Sequence, residues 1–352
     1  MDYGIALATT MDSWRAAKRA EELGFTHAWF YDTQLLNPDV FMGMTLAAVN
    51  TSRIRLGTGV LIPSNRIEPV TANALVSLNK LAPGRIDFGV GTGFTGRRTM
   101  GLKAIPLERM KTYIERVQAL VKGETVTWDF EGETHDIAFL NPELGLINVD
   151  DPIALHVSAF GPRSRDLTAE LGAGWLNFGV SEPVAFGSLA KMRESWSRAG
   201  RDAGDLYSTL FSLGCVLKPG EAFDSPRARA QAGTAVAVFL HDMAETSEPG
   251  SLEPVMGKAV SDVVEAYREI YLGYPEGQRH LLNHRGHLMF LKPEEQELIT
   301  AELIQAITFT GERAALRERL DAFEAAGYSQ FTVQLIEGHE DAIEDWAELF
   351  FG

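Results

Sequence analysis

Residues 53–66 read Arg53-Ile-Arg-Leu-Gly57-Thr58-Gly59-Val60-Leu-Ile-Pro63-Ser-Asn65-Arg66, and residues 83–96 read Pro83-Gly84-Arg85-Ile-Asp87-Phe-Gly89-Val-Gly91-Thr92-Gly93-Phe94-Thr95-Gly96. Each stretch is an apolar strand that ends in a glycine-rich or polar exit. Glycine at such an exit lets the backbone approach a flat ligand that a side chain would block. Because barrel enzymes carry their active sites at the exits of parallel strands, the two stretches predict a barrel with a ligand site at this end.

Working outward, eight segments have the composition and length of strands, and amphipathic helices separate them. They are Tyr3–Ala8, His27–Tyr31, Ile54–Ile62, Ile86–Gly91, Ile153–Ala159, Gly174–Phe178, Leu210–Leu217 and Gln330–Ile336. Between them, apolar residues from Leu107 to Val121 repeat at helical spacing after Pro106. Repeated βα units imply parallel strands, and eight units favour an α/β fold of the closed (β/α)8 TIM-barrel type over an open doubly wound sheet.

Two segments exceed the minimal βα unit. Thr125–Ile137 is predicted to form a hairpin with Gly132 at its turn, and a long helical stretch runs from about Ser225 to Gln305. The second segment is an insertion between the seventh and eighth strands, and we expect it to form a lid over the barrel mouth. Since no fixed repeat, low-complexity tract or flexible linker interrupts the chain, residues 1–352 are predicted to form a single domain.

Composition limits the classes of function. The chain has 352 residues and a net charge of −16, which argues against a general binder of nucleic acid or of membrane surfaces. A single cysteine, Cys215, excludes an intrachain disulfide and favours a reducing compartment. The start, Met1–Ala8, lacks a basic signal region, and no stretch approaches the roughly 18 apolar residues of a membrane span. A cytoplasmic protein is the resulting expectation.

Residues 91–96 match the pattern GxGxxG and follow a strand, as in dinucleotide-binding folds. That fingerprint opens a helix at once, whereas here residues 97–105 are predicted to precede the helix. Dinucleotide binding is therefore disfavoured. A glycine-rich turn without a ligand is the other alternative.

The segment from His156 to Leu171 predicts a strand that turns through Gly161-Pro162 into a helix. The free N–H groups and positive dipole of a helix start form an anion site, which Arg163 could reinforce. An ordinary turn with a surface arginine is equally compatible with the residues alone.

His280, His284 and His287 lie within eight positions of the chain. On a helix their spacing would place them on one face, where they could bind metal, exchange protons or contact a substrate. Gly286 weakens the helix and no nearby carboxylate completes a ligand set, so no metal site is expected. The alternatives are a substrate contact or general acid and buried structural histidines.

Asp32 follows the second strand, where barrel geometry places it at the C-terminal mouth. A helix N-cap or a loop acid is the competing interpretation. The sequence contains no GxSxG, HExxH or P-loop motif, so serine hydrolase, zincin and Walker-type NTPase functions have no support.

With these pieces in place, the chain resembles the bacterial luciferase-like superfamily, whose barrel enzymes use FMN or the deazaflavin F420. The residues that carry the resemblance are Asp32-Thr-Gln34, Ser52–Val60 with Pro63 and Arg66, Thr71-Ala72, Leu81–Arg85, Gly91–Gly93, Ala159–Pro162, Phe309–Gly311 and Ala326-Gly327. Thr58–Pro63 and Gly93–Leu102 look most like the methylenetetrahydromethanopterin-reductase-like branch. Two departures are Gln34, where related F420 enzymes often have histidine, and Ile67-Glu68, where Arg-His-Pro is common.

The resemblance implies a non-proline cis peptide at Gly59-Val60, forming a bulge behind a bent ring system. It also implies that residues 161–164 hold the cofactor phosphate and residues 91–93 border the ring. The cofactor contacts so implied are Gly59, Val60, Gly91, Thr92, Gly93, Ser158, Ala159, Gly161, Pro162, Arg163 and Ser164. Candidate catalytic residues are Asp32, His284 and His287.

The resulting functional expectation is an oxidoreductase that uses F420 or FMN and acts on a small molecule. Hydride transfer with F420 is preferred, from the form of Thr58–Pro63 and of residues 93–101. An FMNH2-dependent monooxygenase that uses O2 is the first alternative, and a non-catalytic flavin-binding barrel is the second. The sequence leaves the substrate and the oligomeric state open, a homo-oligomer included.

Overall fold

The computed structural model describes residues 1–179 and 181–352. Its strands, in chain order, are β1 Asp2–Leu7, β2 His27–Phe30, β3 Arg55–Thr58, β4 Ile86–Val90, β5 Val126–Phe130, β6 Glu133–Ile137, β7 Ala154–Ser158, β8 Gly174–Phe178, β9 Ser208–Ser212, β10 Val216–Leu217, β11 Gly311–Glu312 and β12 Gln330–Leu335. Its helices, in chain order, are α1 Ser13–Leu23, α2 Val40–Asn50, α3 Glu68–Leu81, α4 Thr95–Arg98, α5 Leu107–Val121, α6 Pro162–Leu171, α7 Glu182–Arg198, α8 Pro226–Thr246, α9 Glu253–Met256, α10 Lys258–Gly273, α11 Arg279–His284, α12 Ala301–Ile307, α13 Arg313–Ala326 and α14 Ala342–Phe351. Short 3₁₀ helices lie at Pro142–Leu144, Ala203–Asp205, Glu276–Gln278 and Pro293–Leu298.

Eight strands form a closed parallel barrel in the order β1-β12-β9-β8-β7-β4-β3-β2. Closure runs through β1, where Ile5 pairs with Val333 of β12 on one side and with Ala28 of β2 on the other. Each predicted strand corresponds to one barrel strand, so the predicted (β/α)8 TIM barrel is confirmed. Because all eight strands are parallel, their C-terminal ends open on one face.

Two barrel strands, β3 and β9, end several residues earlier than predicted. β3 stops at Thr58 rather than Ile62, and after a break Leu61 makes a single parallel bridge to Val90. β9 stops at Ser212 rather than Leu217 because the chain there crosses the backbone of Phe309, whose oxygen would lie 1.9 Å from a Cβ on Gly214. Only glycine allows that crossing, and β10 beyond it pairs with β11 instead of continuing the barrel.

The predicted hairpin is present as the antiparallel pair β5 and β6, with Gly132 at a φ of 84° in the turn. The predicted helix after Pro106 is α5. Helices α8 to α12 lie between β10 and β11, in the part of the chain expected to form the lid. No helix among the residues that the structure describes is long and apolar enough to cross a membrane.

Apolar side chains of the described residues form three buried clusters. The largest joins the barrel strands to the helices around them and includes Phe331. A small cluster inside the barrel contains Trp29 and Phe211, and the third joins α8, α10 and α12 through residues such as Val236 and Leu303. The insertion therefore has a core of its own.

A polar group lies near the N-terminal ends of the barrel strands. The buried carboxylate of Asp87 accepts two hydrogen bonds from Arg55, at 3.0 and 2.6 Å. His156 Nε2 and His27 Nε2 lie 3.6 and 3.9 Å from its oxygens. Burial alone would raise the pKa of Asp87, but His156 and Arg55 hold it well below its usual range. Burial lowers the pKa of His27 to about 4.

Candidate functional site

A cavity of about 590 Å³ opens at the C-terminal ends of the barrel strands. Its wall includes Asp32 after β2, Gly59 after β3 and Ser158 at the end of β7. Gly91, after β4, lies directly behind this wall, because a Cβ on it would be 2.9 Å from Val60 Cγ2 and 3.4 Å from Ser158 Cβ. The four strand exits therefore converge on one face, as predicted.

Most of the cavity wall is apolar. Leu176 and Phe211 line it from β8 and β9. Phe94, Phe160 and Phe178 also line it, yet they expose 48%, 60% and 44% of their surface. Aromatic rings left exposed around a cavity are typical of a site that a flat apolar ligand covers. The lining thus fits a planar ring system such as a flavin or deazaflavin.

The exit of β3 has the backbone geometry that the family resemblance implies. The peptide bond Gly59-Val60 is cis, and both residues line the cavity. Hydrogen bonds hold both flanks, since Gly59 N–H donates to Phe30 O at 2.7 Å and Leu61 N–H donates to Gly89 O at 2.8 Å. This bulge is thereby tied to both neighbouring strands, β2 and β4.

The glycine-rich exit of β4 borders the same cavity through Gly93. Gly93 has a φ of 83°, and a Cβ on it would lie 2.7 Å from Ile62 Cγ2 and 2.8 Å from Arg97 Cδ. The expectation that no helix opens in this motif is wrong in one respect, because α4 begins at Thr95. α4 is only four residues long, however, and the main helix, α5, begins at Leu107.

Asp32 is buried and its carboxylate is fully engaged. Arg66 Nη1 donates to both oxygens, at 3.0 and 2.9 Å, and Asn65 Nδ2 and Ile62 N–H donate at 3.1 and 3.3 Å. The N-cap of the next helix, α2, is Asp39 and not Asp32. Asp32 thus fastens the exit of β2 to residues 62–66, beside the cavity that it lines.

Gln34, one of the departures from the family pattern, is bonded into the same wall. Its Nε2 donates to Gly96 O at 2.5 Å, and its Oε1 accepts from Asn65 Nδ2 at 2.6 Å. The side chain therefore links the exits of β2, β3 and β4.

The helix start predicted after β7 is α6, with Gly161 as its N-cap. Gly161 N–H donates to Ser164 Oγ at 3.1 Å, and the Ser164 hydroxyl donates back to Gly161 O at 2.9 Å. Phe160 lines the cavity, so this helix start lies at its rim, with Pro162 and Arg163 exposed. Ala159 is buried and its carbonyl accepts from Trp175 Nε1 at 2.8 Å. The arrangement suits an anion at the rim.

The three sequence-local histidines do not share a helix face. α11 ends at His284, and Gly286 with a φ of 77° breaks the chain direction before His287. His287 lines the cavity, whereas His284 is buried behind it. Burial, with the neighbouring imidazoles, lowers the pKa of His287 well below its ordinary value, so its ring is neutral.

Sequence reasoning missed several residues of this site. His241 of α8 packs against the other two rings, with centroids 6.1 Å from His284 and 6.5 Å from His287. Ala235, Val238 and Asp242 of the same helix line the cavity. The sequence of α8 carries no motif that marks these positions. Only the folded structure, which brings them close to the barrel exits, identifies them.

The fold and the cavity define a (β/α)8-barrel protein with a ligand site at the C-terminal face of its strands. The family model for luciferase-like monooxygenases matches residues 12–330. The chain belongs to this family, which confirms the predicted resemblance and the prediction of an enzyme of the luciferase-like class.

The chain is similar to two 5,10-methylenetetrahydromethanopterin reductases. The one from Archaeoglobus fulgidus is 28% identical over 340 residues, which cover 94% of this chain and 92% of the relative. The one from Methanolobus tindarius is 32% identical over 227 residues, which cover 64% of this chain and 66%, just under two thirds, of the relative. The F420-dependent tetrahydromethanopterin reductase of Methanopyrus kandleri has the same fold, with a TM-score of 0.74 at 20% identity and coverage of 99% of this chain and 97% of that one.

Proposed function

We propose that the protein is an F420-dependent oxidoreductase that transfers a hydride between this cofactor and a small organic substrate. The observation that carries the proposal is the apolar, phenylalanine-lined cavity of about 590 Å³ with a helix start at its rim. F420 shares with FMN a flat tricyclic ring and a phosphate-bearing side chain, and the two parts match the cavity and the rim. Similarity to relatives named as F420-dependent dehydrogenases, 28% identical to this chain, supports F420 over FMN.

In this proposal the chain's own residues bind the cofactor, orient it and exclude water from the site. Gly59 and Val60 form the bulge against one side of the ring, and Gly91 to Gly93 let the backbone approach its edge. Gly161 to Ser164 of α6 hold the phosphate, with Ser158 and Ala159 leading into that turn. When bound, the cofactor supplies the hydride chemistry, and the protein supplies its orientation and a dry cavity.

The substrate side is assigned to the part of the cavity wall that the insertion contributes, through Val238, Asp242 and His287. Because burial lowers the pKa of His287, its ring acts there by orienting a polar group of the substrate rather than as an imidazolium donor. Asp32, paired with Arg66, positions the exit of β2. His284 acts through its contact with His287.

An FMNH2-dependent monooxygenase is the second candidate, because the family is described by that activity. A parallel titration of the purified protein with F420, FMN and anaerobic FMNH2 separates the two. The proposal expects the tightest binding with F420, followed by reduction of bound F420 in stopped flow when an oxidisable alcohol is added. Tight binding of FMNH2 with O2 consumption instead supports the monooxygenase, and binding without turnover of any kind supports a non-catalytic barrel.

A further inference from the structure

We propose that His241, His284 and His287, the histidine trio, bind one divalent transition-metal ion, with Zn²⁺ as the preferred ion. One ring nitrogen of each histidine lies within 4.8 Å of one nitrogen of each of the other two. The rings come from α8, from the end of α11 and from the turn after it. They meet within the insertion, at the place where His287 borders the cavity of the barrel.

Nε2 of each ring has a polar neighbour. Those neighbours are Glu295 Oε1, 2.5 Å from His241 Nε2; Glu245 Oε1, 3.1 Å from His284 Nε2; and Thr95 Oγ1, 3.2 Å from His287 Nε2. The His284 contact needs a small rotation of the ring to become an aligned hydrogen bond. Carboxylates accept hydrogen bonds, so Glu295 and Glu245 favour the proton on Nε2 of His241 and His284 and leave Nδ1 as a lone pair. The Thr95 hydroxyl can accept a hydrogen bond from His287 Nε2 in the same way.

All three Nδ1 atoms are buried, and no described residue offers any of them a hydrogen-bond partner. Buried polar atoms are normally paired, so three orphans in one cluster call for an occupant. A single water molecule has two protons to donate and cannot satisfy three unpartnered nitrogens in one cluster. A metal ion accepts all three at once.

The donor set selects the class of ion. Three imidazoles suit Zn²⁺, Co²⁺, Ni²⁺ or Cu²⁺, whereas Mg²⁺ and Ca²⁺ require oxygen ligands. Zn–N bonds of about 2.0–2.1 Å place the nitrogens of a tetrahedral site roughly 3.3 Å apart, so each ring closes inward by about 1 Å or less. Carboxylates behind two of the rings complete the usual histidine–carboxylate pairing of such sites.

The surrounding charges accommodate a cation. Glu295 is fully buried and pairs with Lys292 Nζ at 3.0 Å, while Glu245 pairs with Arg98 at 3.1 Å. Asp242 also accepts from Arg98, at 2.9 Å, and leaves the group with more carboxylates than cations. A divalent ion therefore adds positive charge where the surrounding carboxylates outnumber the surrounding cations.

Three protein ligands leave a fourth position open, as in catalytic zinc sites. His287 is the member of the trio that lines the cavity, so a ligand in the cavity reaches the ion from that side. Resting on the proposed function, this places a Lewis acid at the substrate side, suited to an alcohol or carbonyl oxygen.

The direct test is a titration of protein that carries no polyhistidine tag and has been stripped with a chelator. Co²⁺ is the probe, because its visible absorption reports both stoichiometry and tetrahedral geometry. We expect one Co²⁺ per chain with a tetrahedral spectrum, displacement by Zn²⁺, a higher melting temperature with Zn²⁺, and weaker binding at lower pH because protons compete for the ligands. No spectral change and no retained metal in the wild-type protein overturn the proposal.

Variants locate the ion. His241→Gln and His284→Gln should each abolish the tetrahedral Co²⁺ spectrum, whereas His280→Gln, on α11 but outside the trio, should keep it. Circular dichroism checks that each variant is folded. Equal Co²⁺ binding by all three variants would place the metal elsewhere and refute the trio as its site.

A second pair of variants tests the outer partners. Glu245→Gln should weaken Co²⁺ binding by about 10- to 100-fold, as removal of a histidine-orienting carboxylate does. Glu248→Gln is the matched control, because Glu248 lies in the turn just after α8 and is exposed. Unchanged affinity in Glu245→Gln would contradict the assigned role of Nε2 and hence the Nδ1 coordination. All of these measurements are made without F420 or FMN, so failure of the cofactor proposal leaves their outcome unaffected.

Discussion

Arg163 occupies the first turn of α6, beside the cavity rim, and its side chain is exposed. Arg165, two residues further on, also stabilises this turn, because its Nη1 donates to Phe160 O at 2.5 Å. Arg163 is thus the residue whose charge is available to an anion at the helix start. The two arginines have different tasks although they lie on the same turn.

Replacing Arg163 with Ala should weaken F420 binding by about 1 to 3 kcal/mol, because a charge-assisted contact to phosphate is lost. Fluorescence titration with F420 measures this, and the melting temperature should not change since the side chain is exposed. Arg109→Ala, on the outer surface of α5, is the control and should bind F420 like the wild-type protein. Unchanged affinity in Arg163→Ala would mean that Arg163 does not contact the cofactor phosphate.

Gly93→Ala should destabilise the protein by about 2 to 3 kcal/mol in urea unfolding. Part of this is the cost of a side chain at a φ of 83°, about 1 to 2 kcal/mol, and the rest is the contact of its Cβ with Ile62 and Arg97. Gly132→Ala is the matched control, because Gly132 has a φ of 84° and nothing within 4 Å of the added Cβ. If the two variants lose equal stability, the packing contact at the cavity is unimportant.

At the scale of elements, the insertion is joined to the barrel exits through α4. Arg98 of α4 donates to Asp242 and contacts Glu245, both on α8, and its guanidinium lies 3.6 Å from the Phe94 ring centroid. Asp242 and Phe94 line the cavity. One ion-pair network therefore connects the glycine-rich exit of β4, the cavity wall and the insertion.

Arg98→Met should loosen α8 at a cost of about 1 to 3 kcal/mol, because two partly buried carboxylates lose their cation. Hydrogen exchange in residues 226–246 should accelerate, while exchange in β1 and β12 should not. Lys258→Met breaks an exposed ion pair with Asp262 on α10 of the same insertion and should change nothing measurable. Uniform acceleration over the whole chain would instead indicate global destabilisation.

The elements also show which parts of the molecule the sequence can predict. All eight barrel strands were predictable because each is a local apolar run bounded by turn residues. The ends of β3 and β9 were not, because they depend on contacts with β4 and with Phe309, far along the chain. The glycine exits could be predicted because they follow directly from the local sequence of each strand. His241 could not, because it joins the trio from a separate helix.

At the scale of the whole molecule, the histidines that the structure shows as buried lie in two groups, one at each end of the barrel. The histidine trio lies beside the cavity at the C-terminal face, and Asp87 with His27 and His156 lies near the N-terminal ends of the strands. The second group lies toward the N-terminal ends of the strands, away from the cavity, so we expect its charges to stabilise the barrel rather than take part in the chemistry. Its effect should appear in the pH dependence of unfolding.

We expect the free energy of unfolding to fall as the pH is lowered from about 6.5 to about 4. The folded-state pKa of His27 is about 4, below the unfolded value of 6.5. In this window the unfolded chain therefore binds a proton at His27 that the folded chain does not bind. A shift of that size corresponds to about 3 kcal/mol, fully present above pH 6.5 and lost by about pH 4. The lowered pKa of Asp87 acts only below about pH 4, since its stabilisation is lost as its own carboxylate is protonated.

Urea unfolding of the wild-type protein and of His27→Gln at about pH 7 and about pH 4.5 measures the contribution of His27. The loss between the two pH values should be smaller in the variant by about 2 kcal/mol, whatever its stability at neutral pH. The comparison uses the difference in unfolding free energy between the two pH values within each protein. A loss of stability that is the same at both pH values, such as a packing defect in the variant, therefore cancels. An equal pH-dependent loss in both proteins would mean that His27 takes up its proton without penalty in the folded barrel, and that other groups carry the acid sensitivity.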